Sequence, residues 1–591
     1  MTGTRLDALV DLLADEDTAR AALARVGRLP SWRLSTRQLL DLEMLAGGGF
    51  TPLTSFLGKA DYESVCDFMR LADGTLWPVP VTLDVSGELL GLLGSGGMLV
   101  LRDPDGTVLA TMEVSEVWRP DRLAEAEAVF GTTDEGHPGV RHLLRDTHPF
   151  YVSGALTVLR LPSHYDHVDL RRTPRQVRDE LARRGWDRLV AFQTRNPMHR
   201  AHQQLTLRAA KIADAKLLIN PVVGIGKPGD VDAYTRVRCY RALLPSYPPD
   251  SVMLSLLPLA MRMAGPREAV WHALIRRNYG ATHFIVGRDH AGPGFDAAGR
   301  PFYPPNAAQE LAQRFADEIG VEILGFHRMV YVPRLGDYLQ EDEVADGEPA
   351  WSISGTELRE RLSRGEELPA WFTPPQVAAQ LRGGEANAGR RGFTVLLTGL
   401  SGAGKSTIAQ ALCARLREAG PRPVSLLDGD LVRQTLSSDL GFTRTDRDRN
   451  IRRIGFVAAE ITKHHGIAIC APIAPYDSAR RDVARMVGEY GGFLLVHVAT
   501  SLQVCESRDS KGLYAQARAG ILPGLTGVED PYEVPADPDL VGDTETESVE
   551  SIVSRIVELL RDRGLLAAEQ CSDQPSDQPC DAAEVSESGV A

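Results

Sequence analysis

Between Phe393 and Leu412 the chain reads Phe393-Thr394-Val395-Leu396-Leu397-Thr398, then Gly399-Leu400-Ser401-Gly402-Ala403-Gly404-Lys405-Ser406-Thr407, then Ile408-Ala409-Gln410-Ala411-Leu412. The first run is β-branched and apolar like a buried strand, and the last is a good helix former. The middle fits Gly, four residues, Gly-Lys-Ser, the phosphate-binding P-loop pattern, in the strand, loop and helix context that pattern requires. Glycines let successive backbone N–H groups curl around phosphate oxygens, and the helix N-terminus adds partial positive charge. Gly399, Ser401, Gly402, Ala403, Gly404, Lys405, Ser406 and Thr407 are the expected ATP-phosphate contacts. Lys405 would meet the β- and γ-phosphates, and Ser406 would offer its hydroxyl to Mg2+.

A chain of 591 residues is too long for one hydrophobic core and implies three or four domains. Its formal net charge of -14 argues against a nucleic-acid binder, although small anionic substrates need only a local basic pocket. The seven cysteines show neither Cys-x-x-Cys nor zinc spacing and read as reduced thiols of a cytoplasmic protein. The N-terminus lacks a signal-peptide core, and no apolar run approaches the length of a membrane span.

Residues 1–165 carry short β-rich runs such as Trp77–Val85 and Gly97–Arg102, predicting a mostly β domain after one or two opening helices. From 166 to 330, helical stretches alternate with apolar strands at Arg188–Phe192, Ala215–Ile219 and His283–Gly287, predicting an α/β domain with a parallel sheet. A small subdomain over 331–380 and a glycine-rich linker over 381–391 lead to the P-loop α/β domain at 392–566. Residues 567–591, acidic and without Lys or Arg, are expected to be a disordered tail.

Directly after the strand ending at Phe192 stands Gln193-Thr194-Arg195-Asn196-Pro197-Met198-His199-Arg200-Ala201-His202, where ligands bind in an open α/β sheet. Two histidines three residues apart are expected on one helix face, building with Arg195 and Arg200 a cationic surface for a polyanion. A zinc pair and a merely capped helix start are the other readings of His-x-x-His. Gly287-Arg288-Asp289-His290-Ala291-Gly292-Pro293-Gly294 follows another strand and leaves backbone amides open to an anion.

The decapeptide 193–202 and the stretch Gly287–Gly294 resemble the signatures of the ATP sulfurylase (sulfate adenylyltransferase) family. So do Met261–Ala269, Pro221–Gly224 with Lys227–Asp230, Ser352–Thr356, Pro369–Phe372 and Gly48–Leu53, covering roughly residues 1–380. The resemblance implies a PUA-like N-terminal domain and a Rossmann-like nucleotidyltransferase domain. Sulfate would attack the α-phosphorus of ATP to give adenosine 5′-phosphosulfate (APS) and pyrophosphate. By position, Gln193, Arg195 and the Ala291 backbone would hold sulfate, His199, His202 and Asn196 would bind the phosphates, and Arg288 would add positive charge. Asn220, where His is expected, departs from the family pattern.

After the P-loop, Val424–Leu427 reads as a strand ending in Asp428-Gly429-Asp430, two carboxylates able to organise Mg2+ or take a proton. Asp428–Gly455 resembles the APS kinase family, as do Lys511–Tyr514 and Leu525–Glu533. That implies a P-loop kinase that phosphorylates the 3′-hydroxyl of APS to give PAPS. By position, Arg433, Arg447 and Asn450 would bind the phosphosulfate and Phe442 would stack on adenine, although core packing is its other reading. Ile473 and Lys511 would also touch substrate, Asp430 would be the base, and Asp428 with Ser406 would face the metal.

Ile473-Ala474-Pro475 stands where many relatives carry Ile-Ser-Pro, which excludes a phosphoserine intermediate and leaves direct in-line transfer. Asp477 replaces a usual Arg, and Leu525 would give the adenine sandwich an aliphatic second face. The expected function is sulfate activation by a cytoplasmic homo-oligomer acting on ATP, sulfate and APS, without nucleic-acid or membrane partners. The alternative, kept open by Ala474 and Asp477, makes the C-terminal domain a regulatory PAPS-binding module.

Overall fold

Three five-stranded sheets organise the chain. The computed structural model describes residues 8–93, 97–225, 231–364, 366–381, 391–509 and 512–566. Lys511, Lys227–Asp230, most of the expected linker and the expected tail lie outside the described residues.

The first sheet contains β1 (Ser31–Arg33), β2 (Leu83–Val85), β3 (Met98–Arg102), β4 (Val108–Trp118) and β5 (Phe150–Val158), in the order β1-β3-β4-β5-β2. Helices are interleaved between these strands, at Thr36–Ala46, Lys59–Phe68 and Arg122–Phe130, rather than confined to the opening. Of the run Trp77–Val85, only the last three residues form a strand. Pro78 and Pro80 have no N–H to give to a ladder. The apolar core under this sheet continues into the next unit: Phe50 lies 5.1 Å from Trp271, ring centroid to centroid, and both are buried.

The second sheet is wholly parallel: β6 (Leu189–Phe192), β7 (Lys216–Ile219), β8 (Val252–Leu254), β9 (His283–Gly287) and β10 (Glu322–Phe326), in the order β10-β9-β6-β7-β8. Strand order reverses between β6 and β9, so the loops leaving these two carboxyl ends diverge and open a crevice. Those loops are Gln193–His199 and Arg288–Gly294. A hairpin of β11 (Met329–Val332) and β12 (Asp337–Gln340) follows, with Trp371 stacked on Tyr331 at 5.4 Å.

The third sheet comprises β13 (Phe393–Thr398), β14 (Val424–Asp428), β15 (Ile467–Ala471), β16 (Gly492–Val498) and β17 (Leu540–Gly542), in the order β14-β15-β13-β16-β17 and again parallel. All six residues of β13 are buried, as its apolar sequence requires for a strand covered on both faces. Among the described residues, no helix is long and apolar enough to cross a membrane.

Candidate functional site

The loop after β6 is fixed from behind. Arg236 and Tyr240, buried on the helix Ala233–Leu243, reach its backbone. Arg236 Nη1 donates to the carbonyls of Arg195 (3.0 Å) and Val222 (2.8 Å), and the Tyr240 hydroxyl donates to that of Asn196 (2.8 Å). With those carbonyls engaged, the half-buried side chains of Gln193 and Arg195 and the exposed Asn196 are carried on a braced turn. The Gln193 Oε1 atom is buried without a hydrogen-bond partner.

The two histidines do not share a helix face. The helix spans Arg200–Ala213, and His199 is its extended N-cap. The backbone N–H of His199 donates to His202 Nδ1 (3.2 Å). A backbone amide can only donate, so Nδ1 of His202 is an acceptor and its ring proton resides on Nε2. His199 Nδ1 meets the Thr373 hydroxyl at 3.1 Å, and the Phe372 ring stacks on His199 at 4.3 Å. Arg200 completes the clamp, donating from its backbone N–H to the Phe372 carbonyl (3.1 Å) and from Nε to that of Ala370 (2.7 Å).

Burial pushes His199 down to about 3 and His202 down to about 4. Both rings are therefore neutral hydrogen-bonding groups, and the expectation of a surface made cationic by histidines is corrected: the charge comes from arginine alone. Arg200, part of that expected surface, serves the clamp.

On the β9 loop, Arg288 pairs with Asp289 at 3.1 Å, which offsets part of its charge. Ala291 is nearly buried and held at φ +52, an uncommon conformation for a residue with a Cβ. A cavity of about 200 Å³ is lined by Arg288, His290, Gly292, Gly265 and Tyr303. Asn220, the family departure, follows β7 and is fully buried, and its Nδ2 donates to the Ser255 carbonyl (2.7 Å).

The P-loop turns at the carboxyl end of β13, with Gly402 at φ +75 and Gly404 at φ +98. A Cβ on Gly404 would fall 2.9 Å from the Thr544 methyl, so both space and backbone demand glycine there. The helix starts at Lys405, whose buried ammonium donates to the Leu400 carbonyl (2.7 Å) and so stays at the loop. Ser401 and Ala403 are held through their carbonyls, by the Tyr514 hydroxyl (2.8 Å) and the Thr500 hydroxyl (3.1 Å) respectively. Ser406 Oγ donates to Asp428 Oδ2 (2.9 Å), and Thr407 follows in the same first turn. Asp428 also caps the helix Gly429–Thr435, accepting from the Asp430 backbone N–H (2.9 Å), and Asp430 is exposed at that helix start. This serine and carboxylate form an oxygen donor pair suited to a Mg2+ ion that takes its remaining ligands from phosphate and water.

Phe442 is 61% exposed, so it is not core packing. The Arg433 guanidinium lies over its ring at 4.5 Å and donates to the neighbouring Gly441 carbonyl (3.0 Å). Arg447, expected at the phosphosulfate, also holds the chain: Nε donates to the Phe442 carbonyl (2.8 Å), Nη1 to Thr526 Oγ1 and Nη2 to the Gly524 carbonyl. It ties the Phe442 segment to the 524–526 segment. Asn450 is buried with an unpartnered Oδ1. The Ile473 carbonyl accepts from Thr398 Oγ1 (2.7 Å), joining β15 to the P-loop strand.

Ala474 is buried at φ +46, and its carbonyl accepts from Arg480 (2.8 Å). Asp477 pairs with Arg480 (3.3 Å) and Arg481 (2.9 Å) at its own helix start. Leu525 is buried in the core rather than forming a second stacking face, because it packs with the P-loop domain's apolar cluster.

Comparison with known proteins follows the same division. Residues 168–383 match the ATP-sulfurylase family, residues 391–543 the family described as adenylylsulphate kinase, and residues 3–161 the PUA-like domain family. A sulfate adenylyltransferase of Phaeosphaeria nodorum is 50% identical over 562 residues, covering 94% of this chain and 98% of its own. One from Mycosarcoma maydis is 49% identical over 565 residues, with the same coverage. A solved structure described as a hexameric APS kinase from Thiobacillus denitrificans is 37% identical, covers 95% of this chain and 98% of that one, and superposes with a TM-score of 0.55.

Proposed function

The chain belongs to the sulfate adenylyltransferase family and carries an adenylylsulfate kinase domain behind the sulfurylase part, and on that premise we propose how its residues divide the work. The enzyme activates sulfate in two steps. The N-terminal part joins sulfate to the AMP moiety of ATP, releasing pyrophosphate and forming APS. The C-terminal part moves the γ-phosphoryl group of a second ATP to the 3′-hydroxyl of APS, forming PAPS.

In the first step a sulfate oxygen forms a bond to the α-phosphorus as the bond to the pyrophosphate oxygen breaks. Two anions must meet in line, so the task is alignment and charge neutralisation. Arg195 and Gln193, on the braced turn, are assigned to sulfate together with the Ala291 amide. Asn196, His199 and His202 are assigned to the phosphates, with His202 donating from Nε2; a neutral imidazole donor stabilises the leaving oxygens without itself exchanging a proton at neutral pH. Arg288 adds the second guanidinium.

In the second step Asp430 takes the proton of the 3′-hydroxyl, and the oxygen attacks the γ-phosphorus while ADP leaves. The P-loop from Gly399 to Thr407 and Lys405 hold the phosphates, and Ser406 and Asp428 would hold Mg2+, which would supply neutralisation of phosphate charge. Arg433 and Phe442 form the nucleoside clamp, Asn450 and Ile473 line the acceptor side, and Arg447 sets the clamp's position. Ala474 has no hydroxyl to phosphorylate, so transfer passes directly to APS. Homo-oligomeric assembly belongs to the same proposal, supported by the hexameric state named for the T. denitrificans relative.

The observation that carries an active, rather than regulatory, kinase is the Ser406–Asp428 pair beside a buried Lys405 on an intact glycine loop. Purified protein given ATP, Mg2+ and APS is expected to form PAPS, and Lys405→Ala to abolish it. Absence of PAPS from the unmodified chain would leave the C-terminal domain a nucleotide-binding module.

A further inference from the structure

One buried carboxylate stands behind the residues that flank Ala291 on both sides. Glu268 is fully buried in the helix Gly265–Asn278. Its Oε1 accepts the Arg262 backbone N–H (3.0 Å) and its Oε2 that of Ala264 (2.8 Å), which fixes the chain entering this helix. The next residue, Gly265, donates its N–H to the Ala291 carbonyl (3.3 Å). One turn further along the helix, His272 is also fully buried, with Nε2 lying 3.2 Å from Glu268 Oε1. His272 Nδ1 in turn meets His290 Nε2 at 2.9 Å, and His290 immediately precedes Ala291.

Burial works to raise Glu268, but the His272 contact and the two backbone N–H groups outweigh it and hold the carboxyl lowered, hence ionised. Burial lowers both His272 and His290, so both rings are neutral. His272 Nε2 lies beside the ionised carboxylate without a hydrogen bond to it, so this contact is one of charge and packing. Between the two neutral rings, His272 Nδ1 and His290 Nε2 share one hydrogen bond, with one nitrogen donating and the other accepting. The contacts end at the ring of His290, and the amide that follows it in the chain, the Ala291 N–H, donates to no backbone carbonyl among the described residues.

We propose that Glu268 and His272 are positioning residues that aim the Ala291 N–H at sulfate, through His290 on one side and through Gly265 on the other. The inference rests on the assignment of Ala291 to sulfate made above. It accounts for a residue with a Cβ kept at φ +52: the His290 ring before it and its own carbonyl after it are both tethered. Because neither residue belongs to the nucleotide-binding groups, their loss should act on sulfate and spare ATP.

The test is His272→Leu beside His272→Gln, read as separate KM values for sulfate and ATP in sulfate-dependent pyrophosphate release. Phosphorylation of supplied APS by the same protein reports that the preparation is intact. Leucine breaks the chain of contacts, and the sulfate KM is expected to rise about tenfold or more, the effect of losing one aligned hydrogen bond to a charged ligand. The ATP KM should stay within about twofold on the same scale. Glutamine keeps a polar group beside Glu268 that can hydrogen-bond His290 in either direction, and should recover most of the loss. Glu268→Gln, which keeps the side-chain shape, is a second variant with the same expected sulfate effect should the leucine variant fail to fold. An unchanged sulfate KM, or equal rises for both substrates without rescue by glutamine, overturns the inference. Absence of sulfate-dependent pyrophosphate release from the unmodified enzyme would instead sink the first-site assignment itself.

Discussion

Replacing Thr373 by valine removes one hydroxyl and almost no volume. That hydroxyl meets His199 Nδ1 at 3.1 Å, where Thr373 is 1% exposed and His199 5% exposed, so water cannot take its place. The Phe372 stacking and the two Arg200 bonds to backbone carbonyls do not involve the lost atom and should persist. The cost is then that of one buried nitrogen left unpaired, about 1–3 kcal/mol. If it falls on the transition state, kcat/KM for ATP in APS formation should drop about 5- to 150-fold. The assay is sulfate-dependent pyrophosphate release, with phosphorylation of supplied APS as the internal reference. Thr373→Ser keeps the hydroxyl and should lie within about twofold of the unmodified enzyme. A valine variant equal to the unmodified one, or a serine variant as poor as valine, would refute the view that this hydroxyl orients His199.

Further predictions concern both sites and pH. Phe442→Ala should raise the KM for APS in the kinase reaction by about tenfold, since stacking on one exposed ring carries about 1–3 kcal/mol; an unchanged APS KM would remove Phe442 from the clamp. Arg236→Met, which frees the carbonyls of Arg195 and Val222, should weaken APS formation while leaving PAPS formation from supplied APS intact, and equal loss of both activities would argue against a bracing role. Burial holds His137, His167 and His202 at about 4 and His199 at about 3 in the folded chain, against about 6.5 in the unfolded chain. The unfolded chain therefore binds more protons between these values, and stability present above pH 6.5 is lost as pH falls toward 4. Glu125, raised by burial to about 7, and Asp41 and Asp103, also raised by burial, act in the opposite direction, but against a larger number of depressed histidines, His142, His272 and His290 among them. Hydrogen exchange at pH 7.5 and pH 5 should show residues 8–381 losing protection first; earlier loss in residues 391–566 would contradict this.

What the sequence made legible was chemistry held in contiguous segments. The P-loop, the loops after Phe192 and Gly287, and the strands that carry them could be read because glycine spacing and β-branched runs encode local geometry. The groups that set those loops could not. Arg236 and Tyr240 reach back 41 and 44 residues, and Thr373 lies 174 residues from His199. The segment Pro369–Phe372 pointed to the neighbourhood, and only the fold shows the next residue touching the imidazole. Charge state was equally hidden: His199 and His202 look cationic in a row with arginines, and become neutral only because the fold buries them. Arg447 illustrates a third limit, since a guanidinium suited to an anion also ties three chain oxygens together, and only the fold shows that second task.

The central claim is that one chain carries sulfate through to PAPS. It is tested most directly by incubating the purified enzyme with labelled sulfate, ATP, Mg2+ and pyrophosphatase, and following APS and PAPS together. The account predicts PAPS as the end product, and APS accumulation without PAPS when Lys405 is replaced by alanine. APS alone from the unmodified enzyme would contradict it.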